Sequence, residues 1–293
     1  MKKNHILGLL FAIFSILNCS AANNLNFDAK TIDFAGINMP YRIASVNSDS
    51  ATKPALVIYL HGGSSKGDDN EKQLLEAGID SIANYLEAKN IKALFIVPQC
   101  PSDKSWGGPM LGVLKSLIDR YKENLVDPNR IYMFGGSMGG TGLWSMLSAY
   151  PGLFAAAMPI AGNPSKCDAT TVSKTPLFTV MGTADRIMNV ETTADFVNKL
   201  RNLGCDCMFE IEDDWTHEMT CTESYTTLRL DWVFKHSLDD SGVESVEADN
   251  SEICTIQYFS IVGKVITKNM LDGLFIERIV YKNGEVKVRK IFM

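Results

Sequence analysis

The stretch Arg130-Ile131-Tyr132-Met133-Phe134-Gly135-Gly136-Ser137-Met138-Gly139-Gly140 decides how this chain is read. An apolar run stops at two glycines, a serine follows, and a helical pattern then continues to about Tyr150-Pro151. The spacing Gly135-x-Ser137-x-Gly139 is that of a sharp turn between a strand and a helix. Such a turn holds its serine in a strained conformation, and the residues two before and two after must lack bulky side chains. Ser137 then stands exposed at a helix N-terminus, where the helix dipole favours a developing anion. The competing reading is a glycine-rich phosphate loop. No Gly-Lys-Ser/Thr follows and the G-x-G-x-x-G spacing is absent, so Ser137 is read as a nucleophile.

Working outward, the same punctuation recurs. Ala55–Leu60 runs into His61-Gly62-Gly63, Ala93–Val97 into Pro98, Phe154–Ile160 into Ala161-Gly162, and Leu177–Met181 into Gly182. Continuous apolar strands that stop at glycine or proline are what a parallel sheet covered on both faces requires. Helical stretches lie between them. One spans Asn70 to Lys89, with Asn70 and Gln73 as a capping pair, and another runs from about Leu111 to Asn124, before Asp127-Pro128. Alternating strands and helices predict an α/β fold with a mainly parallel sheet and helices on both faces, binding its ligand beyond the carboxyl ends of the strands.

A serine hydroxyl needs a base within hydrogen-bond reach, most often histidine. The chain has four histidines. His5 belongs to the extreme N-terminus, His61 ends a strand before Gly62-Gly63, and His236 follows an apolar run on the final helix. His217 remains, in the polar stretch Asp213-Asp214-Trp215-Thr216-His217-Glu218 after the alternating segment Met208–Ile211. The third member must orient the imidazole. Asp185 follows the strand Leu177–Met181 through Gly182-Thr183-Ala184, whereas Asp213 and Asp214 lie too near His217 in sequence to reach its far ring nitrogen easily. The order Ser137, Asp185, His217 results. Oxyanion donors are expected from the backbone N–H of Met138 and from the loop His61-Gly62-Gly63-Ser64, with Gly63 the choice there. His61 is expected to hold that loop rather than act as a second base. Trp106 and Trp215 are candidates for an aromatic substrate wall, with core packing the competing fate. Asp68 and Asp69 lack the spacing of a calcium loop and are read as favouring a helix N-terminus.

Composition limits the setting. The chain has 293 residues, 46% hydrophobic and 21% charged, with 28 basic and 34 acidic side chains, a net charge of −6. Wholesale disorder and a small disulfide-stapled peptide are excluded, and nucleic-acid partners are not expected. Residues 1–22 read as an export signal: Lys2 and Lys3 precede the apolar run Ile6–Leu17, and Ser20-Ala21-Ala22 offers a cleavage site. Association with a membrane would require lipidation at Cys19. Of the other cysteines, Cys100, Cys167, Cys205, Cys207, Cys221 and Cys254, an even number in an oxidising compartment suggests disulfides without choosing the pairs. Cys205-Asp206-Cys207 is too tight for a usual zinc pair, and no metal site is expected. Oligomeric state is left open.

His61-Gly62-Gly63 with Gly67-Asp68-Asp69-Asn70, Pro98-Gln99-Cys100-Pro101 with Trp106, Gly135-Gly136-Ser137-Met138-Gly139-Gly140, Gly182-Thr183-Ala184-Asp185 and His217 together resemble secreted α/β-hydrolases. The similarity is to the esterase group of feruloyl esterases, acetyl xylan esterases and polyhydroxyalkanoate depolymerase-like enzymes, often called predicted peptidases. It covers roughly Asn38 to His236. The resemblance implies an exported serine carboxylesterase that cleaves feruloyl or acetyl esters on plant polysaccharide through an acyl-enzyme, with neither metal nor organic cofactor. A serine peptidase on the same fold and an inert carbohydrate-binding protein are the alternatives.

After residues 23–237, read as the catalytic domain, the pattern changes. Between Leu238 and Gly263 stand six acids and no Lys or Arg, and residues 238–257 are read as an acidic linker. In residues 258–293, Phe275–Tyr281 and Glu285–Met293 flank Lys282-Asn283-Gly284, a strong hairpin signal. This small β-rich tail resembles short tails of exported bacterial proteins, some of which are sorting signals. A docking hairpin is the alternative.

Overall fold

The computed structural model describes residues 25–48, 52–240, 253–260, 265–266, 274–281 and 286–292. The segment 1–22, read as an export signal, lies outside them together with Cys19. Strands β1 (Asp28–Phe34), β2 (Ile37–Val46), β3 (Ala55–Leu60), β4 (Ala93–Pro98), β5 (Ile131–Gly136), β6 (Ala156–Ile160), β7 (Leu177–Gly182) and β8 (Cys207–Glu212) form one sheet in the order β1-β2-β4-β3-β5-β6-β7-β8. From β4 to β8 neighbours run parallel, while β2 is antiparallel to both β1 and β4. The helices are α1 (Ala77–Ala88), α2 (Pro109–Lys122), α3 (Met138–Ala149), α4 (Ala169–Val172), α5 (Val190–Asn202), α6 (His217–Glu223) and α7 (Thr227–Phe234).

Both faces of the sheet are buried along β3 to β7, which is why those strands are almost wholly apolar. On β3, Leu56, Ile58 and Leu60 join a core with α2, α3 and α5 through Val113, Leu117, Trp144 and Val197. Its other three residues, Ala55, Val57 and Tyr59, join the opposite core with Ile79 and Ile82 of α1 and Leu230 and Val233 of α7. Consecutive side chains of a strand point to opposite faces, so one unbroken apolar run serves two cores. The chain passes from β3 to β4 on one side and then crosses to β5 on the other. That reversal opens a crevice at the carboxyl ends of β3 and β5, between the His61-Gly62-Gly63 loop and Ser137.

Some expectations are corrected. The helix read from Asn70 begins only at Ala77, after a 3-10 turn at Lys72–Leu75. Asn70 has φ of 55° and is tied elsewhere: its N–H donates to Gln99 Oε1 at 2.6 Å and its side-chain amide to Tyr41 O at 3.1 Å. It meets Gln73 only through the Gln73 amide, at 2.6 Å. Asp69, expected to favour that helix's N-terminus, instead accepts from the N–H groups of Glu71 and Lys72 at 2.9 and 3.0 Å and so opens the 3-10 turn. These bonds, together with one from Gln99, hold its carboxyl well below the usual carboxylate range. Cys100, Cys167, Cys205, Cys207 and Cys221 are free thiols, against the disulfides suggested by their number.

A second sheet of antiparallel strands follows: β9 (Ile253–Ser260), β10 (Val265–Ile266), β11 (Leu274–Tyr281) and β12 (Val286–Phe292), in the order β10-β9-β11-β12. Val280 pairs with Val286, so β11 and β12 have the register of a hairpin across Lys282-Asn283-Gly284, residues outside those described. β9 starts inside the segment read as linker, because Ile253-Cys254-Thr255-Ile256 is uncharged, β-branched and paired with β11. At the other end the linker is shortened too: Leu238–Asp240 forms a 3-10 turn whose Leu238 N–H donates to Asn129 O at 3.0 Å.

Two polar arrangements brace the crevice from below. His61 is fully buried. Its Nε2 accepts the Cys100 N–H at 2.9 Å, so the proton sits on Nδ1 and is donated to Gly62 O at 2.6 Å. Its own carbonyl accepts the Trp106 indole N–H at 3.0 Å. On the far side, Arg229 of α7 donates to Glu210 at 2.8 Å, to Glu212, and to Ser224 O at 3.3 Å, fastening the α6–α7 corner to β8. Its guanidinium also lies 5.7 Å from the Trp215 ring centroid.

Two outcomes are expected. Arg229→Met strands two carboxylates beside an apolar side chain and lowers stability in urea melts by about 2 kcal/mol, below the roughly 3–5 kcal/mol of fully buried pairs because both glutamates still meet water. Burial pushes His61 down from 6.5 to about 4. The unfolded chain therefore binds the extra proton first, and stability falls as pH drops through the interval between those values. Urea midpoints measured across that interval should fall more steeply for the wild type than for His61→Asn.

Candidate active site

β5 ends at Gly136 and α3 starts at Met138, leaving Ser137 alone between them at φ 58°, ψ −117°. No β-carbon could be accommodated at the flanking glycines. At Gly139 it would stand 1.9 Å from Leu60 O, and at Gly135 it would stand 2.7 Å from the Gly139 backbone. The two glycines let α3 press against β3 and β5, and Ser137 is thrust out at the top of the sheet. As the first residue of α3, Met138 has an N–H that helix geometry leaves without an intrahelical acceptor.

β7 delivers Asp185 through a short turn, and Asp185 Oδ1 accepts the N–H groups of Ile187 and Met188, each at 2.8 Å. Its other oxygen, Oδ2, accepts from His217 Nδ1 at 2.8 Å, with the carboxylate side chain fully buried. A carboxylate only accepts, so Nδ1 carries the proton, and Nε2 is left to accept the Ser137 hydroxyl at 2.7 Å. His217 is the first residue of α6 rather than part of a loop. Thr216 caps that helix by accepting the Met219 N–H at 3.3 Å, and this cap fixes where the imidazole emerges. The structure thus brings Ser137, His217 and Asp185 into one hydrogen-bonded line.

A cleft of about 780 Å³ opens over this line. Gly63 and Ser64 are exposed on its wall, and Gly62 lies close beneath: a β-carbon on Gly62 would stand 3.8 Å from Ser137 Cβ. Gly63 therefore shares the cleft with Ser137. The aromatic wall is corrected. Trp106 is buried, its indole spent on the His61 carbonyl and its ring set edge-on to the His61 imidazole at 5.1 Å, and it lines a different cavity. Trp215 is turned toward Arg229. Leu75, Glu76, Ile187 and Cys221 line the cleft instead. Only the break between the 3-10 turn and α1 exposes Leu75 and Glu76, and a reading of one continuous helix hides it. Burial pushes the Cys221 thiol up to about 12, with Glu76 and Asp185 adding to the effect, so it stays protonated and is no rival to Ser137.

Residues 103–241 match the dienelactone hydrolase family, a span that includes Ser137, Asp185 and His217. The poly(3-hydroxyalkanoate) depolymerase C of Paucimonas lemoignei is 39% identical over 82 residues, which are 28% of this chain and 19% of the depolymerase. Among solved structures, a thermostable esterase superposes with a TM-score of 0.64 at 27% identity, covering 72% of this chain and 63% of the esterase. A feruloyl esterase module from Clostridium thermocellum, solved with sinapinate, superposes at 0.59 with 11% identity over 72% of this chain and 89% of the module, a likeness of fold alone. The chain therefore spans a small part of the depolymerase and less than two thirds of the thermostable esterase. With its eight-stranded sheet in this order and its likeness to the thermostable esterase, the chain has the α/β-hydrolase fold, and its residues 103–241 are similar to the dienelactone hydrolase family.

Proposed function

We propose that this chain is an exported serine carboxylesterase acting on acyl esters of plant polysaccharide. One observation carries the reading: Ser137, His217 and Asp185 are linked at 2.7 and 2.8 Å at the floor of an open cleft. Ser137 Oγ attacks the ester carbonyl while His217 Nε2 takes its proton. Asp185 holds the imidazole in the required tautomer and offsets its positive charge. The negative charge that develops on the carbonyl oxygen is met by the N–H groups of Met138 and Gly63. His217 then returns the proton to the departing alcohol, which leaves Ser137 acylated. Water, activated by the same imidazole, attacks the acyl-enzyme, releasing the acid and restoring the hydroxyl.

The walls of the cleft favour feruloyl over acetyl as the acyl group. Leu75 and Ile187 line it while being 84% and 69% exposed, large aliphatic surfaces that an aryl group could cover and an acetyl group could not. The feruloyl esterase module solved with sinapinate suits the same reading. Export rests on Lys2-Lys3, the apolar run that follows and Ser20-Ala21-Ala22.

The test is turnover of methyl ferulate, p-nitrophenyl acetate and peptide amides by the purified protein. Ester cleavage should dominate, and Ser137→Ala should lower kcat by at least about 10³-fold while abolishing labelling by a fluorophosphonate. Unchanged turnover in that variant, or faster cleavage of amides than of esters, would refute the proposal. In a separate comparison, Leu75→Ser should raise KM for methyl ferulate by roughly 3- to 10-fold, the effect of losing an aliphatic contact, and leave the acetate ester nearly unaffected.

A further inference from the structure

Glu76 is the residue before α1, the position from which a side chain ordinarily caps a helix, yet it makes no capping hydrogen bond. Its carboxylate is directed at the His61-Gly62-Gly63 loop. One oxygen, Oε1, accepts the Gly62 N–H at 3.1 Å and the Ser65 hydroxyl at 2.6 Å. Gly62 and Ser65 are buried, while Gly63 and Ser64 between them are exposed in the cleft. The turn is closed further by the Ser65 N–H, which donates to Gly62 O at 3.3 Å. A single acceptor thus fastens both ends of a four-residue turn whose middle faces the substrate.

We propose that Glu76 is a positioning residue for ester hydrolysis, holding the 62–65 turn so that the Gly63 N–H keeps its aim at the developing oxyanion. This rests on the esterase reading above. Glu76 touches neither the reacting carbonyl nor Ser137 Oγ, and it acts through the backbone it fastens. Such preorganisation matters because a donor already in place costs no reorganisation at the transition state, whereas a loose one must be ordered during each turnover. Hydrogen-bond acceptance is the property required, not negative charge. An amide oxygen at the same place accepts from both donors, so glutamine should do the work of glutamate. Charge alone would be unhelpful near a developing anion, so the geometry accounts for a carboxylate there only as a two-donor acceptor.

The experiment compares wild type with Glu76→Ala, Glu76→Gln and Ser65→Ala in the full chain, using p-nitrophenyl ester kinetics, thermal melts and hydrogen exchange of peptides spanning residues 61–66. Glu76→Ala should lower kcat by about 10- to 100-fold, below the full loss of an oxyanion donor, with KM within about 3-fold of wild type. Its exchange over 61–66 should speed up. Glu76→Gln should recover most of kcat and the slow exchange, and Ser65→Ala, which removes one of the two donors, should fall between. Unchanged exchange in Glu76→Ala overturns the clamp. Faster exchange with kcat unchanged, a rise in KM alone, or a glutamine variant as slow as alanine overturns the positioning role. If the wild type neither turns over esters nor reacts with a fluorophosphonate, the esterase reading fails, and the exchange arm still decides whether Glu76 fastens the turn.

Discussion

Ser137 is held at a backbone conformation that a residue with a side chain avoids, with φ of 58° and ψ of −117°, and the rest of the site depends on the packing that keeps it there. The restraint is the approach of α3 to β3. Leu60 O occupies the space where a Gly139 β-carbon would be, so the helix can neither withdraw nor rotate without opening the core on that face. Strain of this kind persists only when its surroundings over-determine it, and here they do so on every side. β3 and β5 are adjacent, Ser137 N–H donates to Ile160 O of β6 at 3.0 Å, and Trp144 and Leu147 of α3 are fully buried. The same geometry puts the serine at a helix N-terminus and beside the loop that leaves β3. A single close contact thus presents the hydroxyl and decides which backbone amides surround it.

That neighbouring loop is restrained in a complementary way. Below it, His61 is neutral because it is buried, and it serves as both acceptor and donor, taking Cys100 N–H and giving Nδ1–H to Gly62 O. Above it, the Glu76 carboxylate stands partly open to water and takes donors from Gly62 and Ser65. A charged group in the buried position would pay a desolvation cost with no counter-ion nearby, whereas at the cleft wall water carries much of that cost. The placement of the two groups follows their solvation. Trp106 completes the lower brace, and this explains why an aromatic residue that sequence alone leaves between two fates lies in the interior: its one polar atom is satisfied by the His61 carbonyl.

The sequence makes the parallel part of the sheet legible because unbroken apolar runs ending at glycine or proline have little else to be. The run Ala55–Leu60 is a strand over those residues, and Leu177–Met181 differs by one. β1 and β2 are hard to see for a physical reason. β1 is exposed at all but Ile32, so it has no apolar run, and its hairpin turns at Ala35-Gly36 with φ of 52° and 78° instead of at an Asn-Gly pair. Asp185 and His217 are legible from chain order and strand ends. The position of His217 at a helix start is not, because α6 has only seven residues and Thr-His-Glu reads equally well as a polar loop. Leu75 and Glu76 are hidden by tertiary override: Gln99, Tyr41 and Arg42 bond to Asn70 and prevent the helix from starting there.

Ser137, Asp185 and His217 all fall within the family match at 103–241, and each follows a strand of the sheet or begins the helix beyond one. Gly62, Gly63, Leu75 and Glu76, which line the same cleft, all precede it. The proton-transfer geometry tolerates little variation, since a displacement of about 1 Å breaks a hydrogen bond. Residues 62–65 share that demand, because the turn is held by Glu76, whereas Leu75 needs only to offer apolar surface to whatever is bound. On the esterase reading, the stretch between β3 and α1 therefore has two separate tasks: Leu75 offers apolar surface at the cleft wall, and Glu76 fastens the turn that carries Gly63.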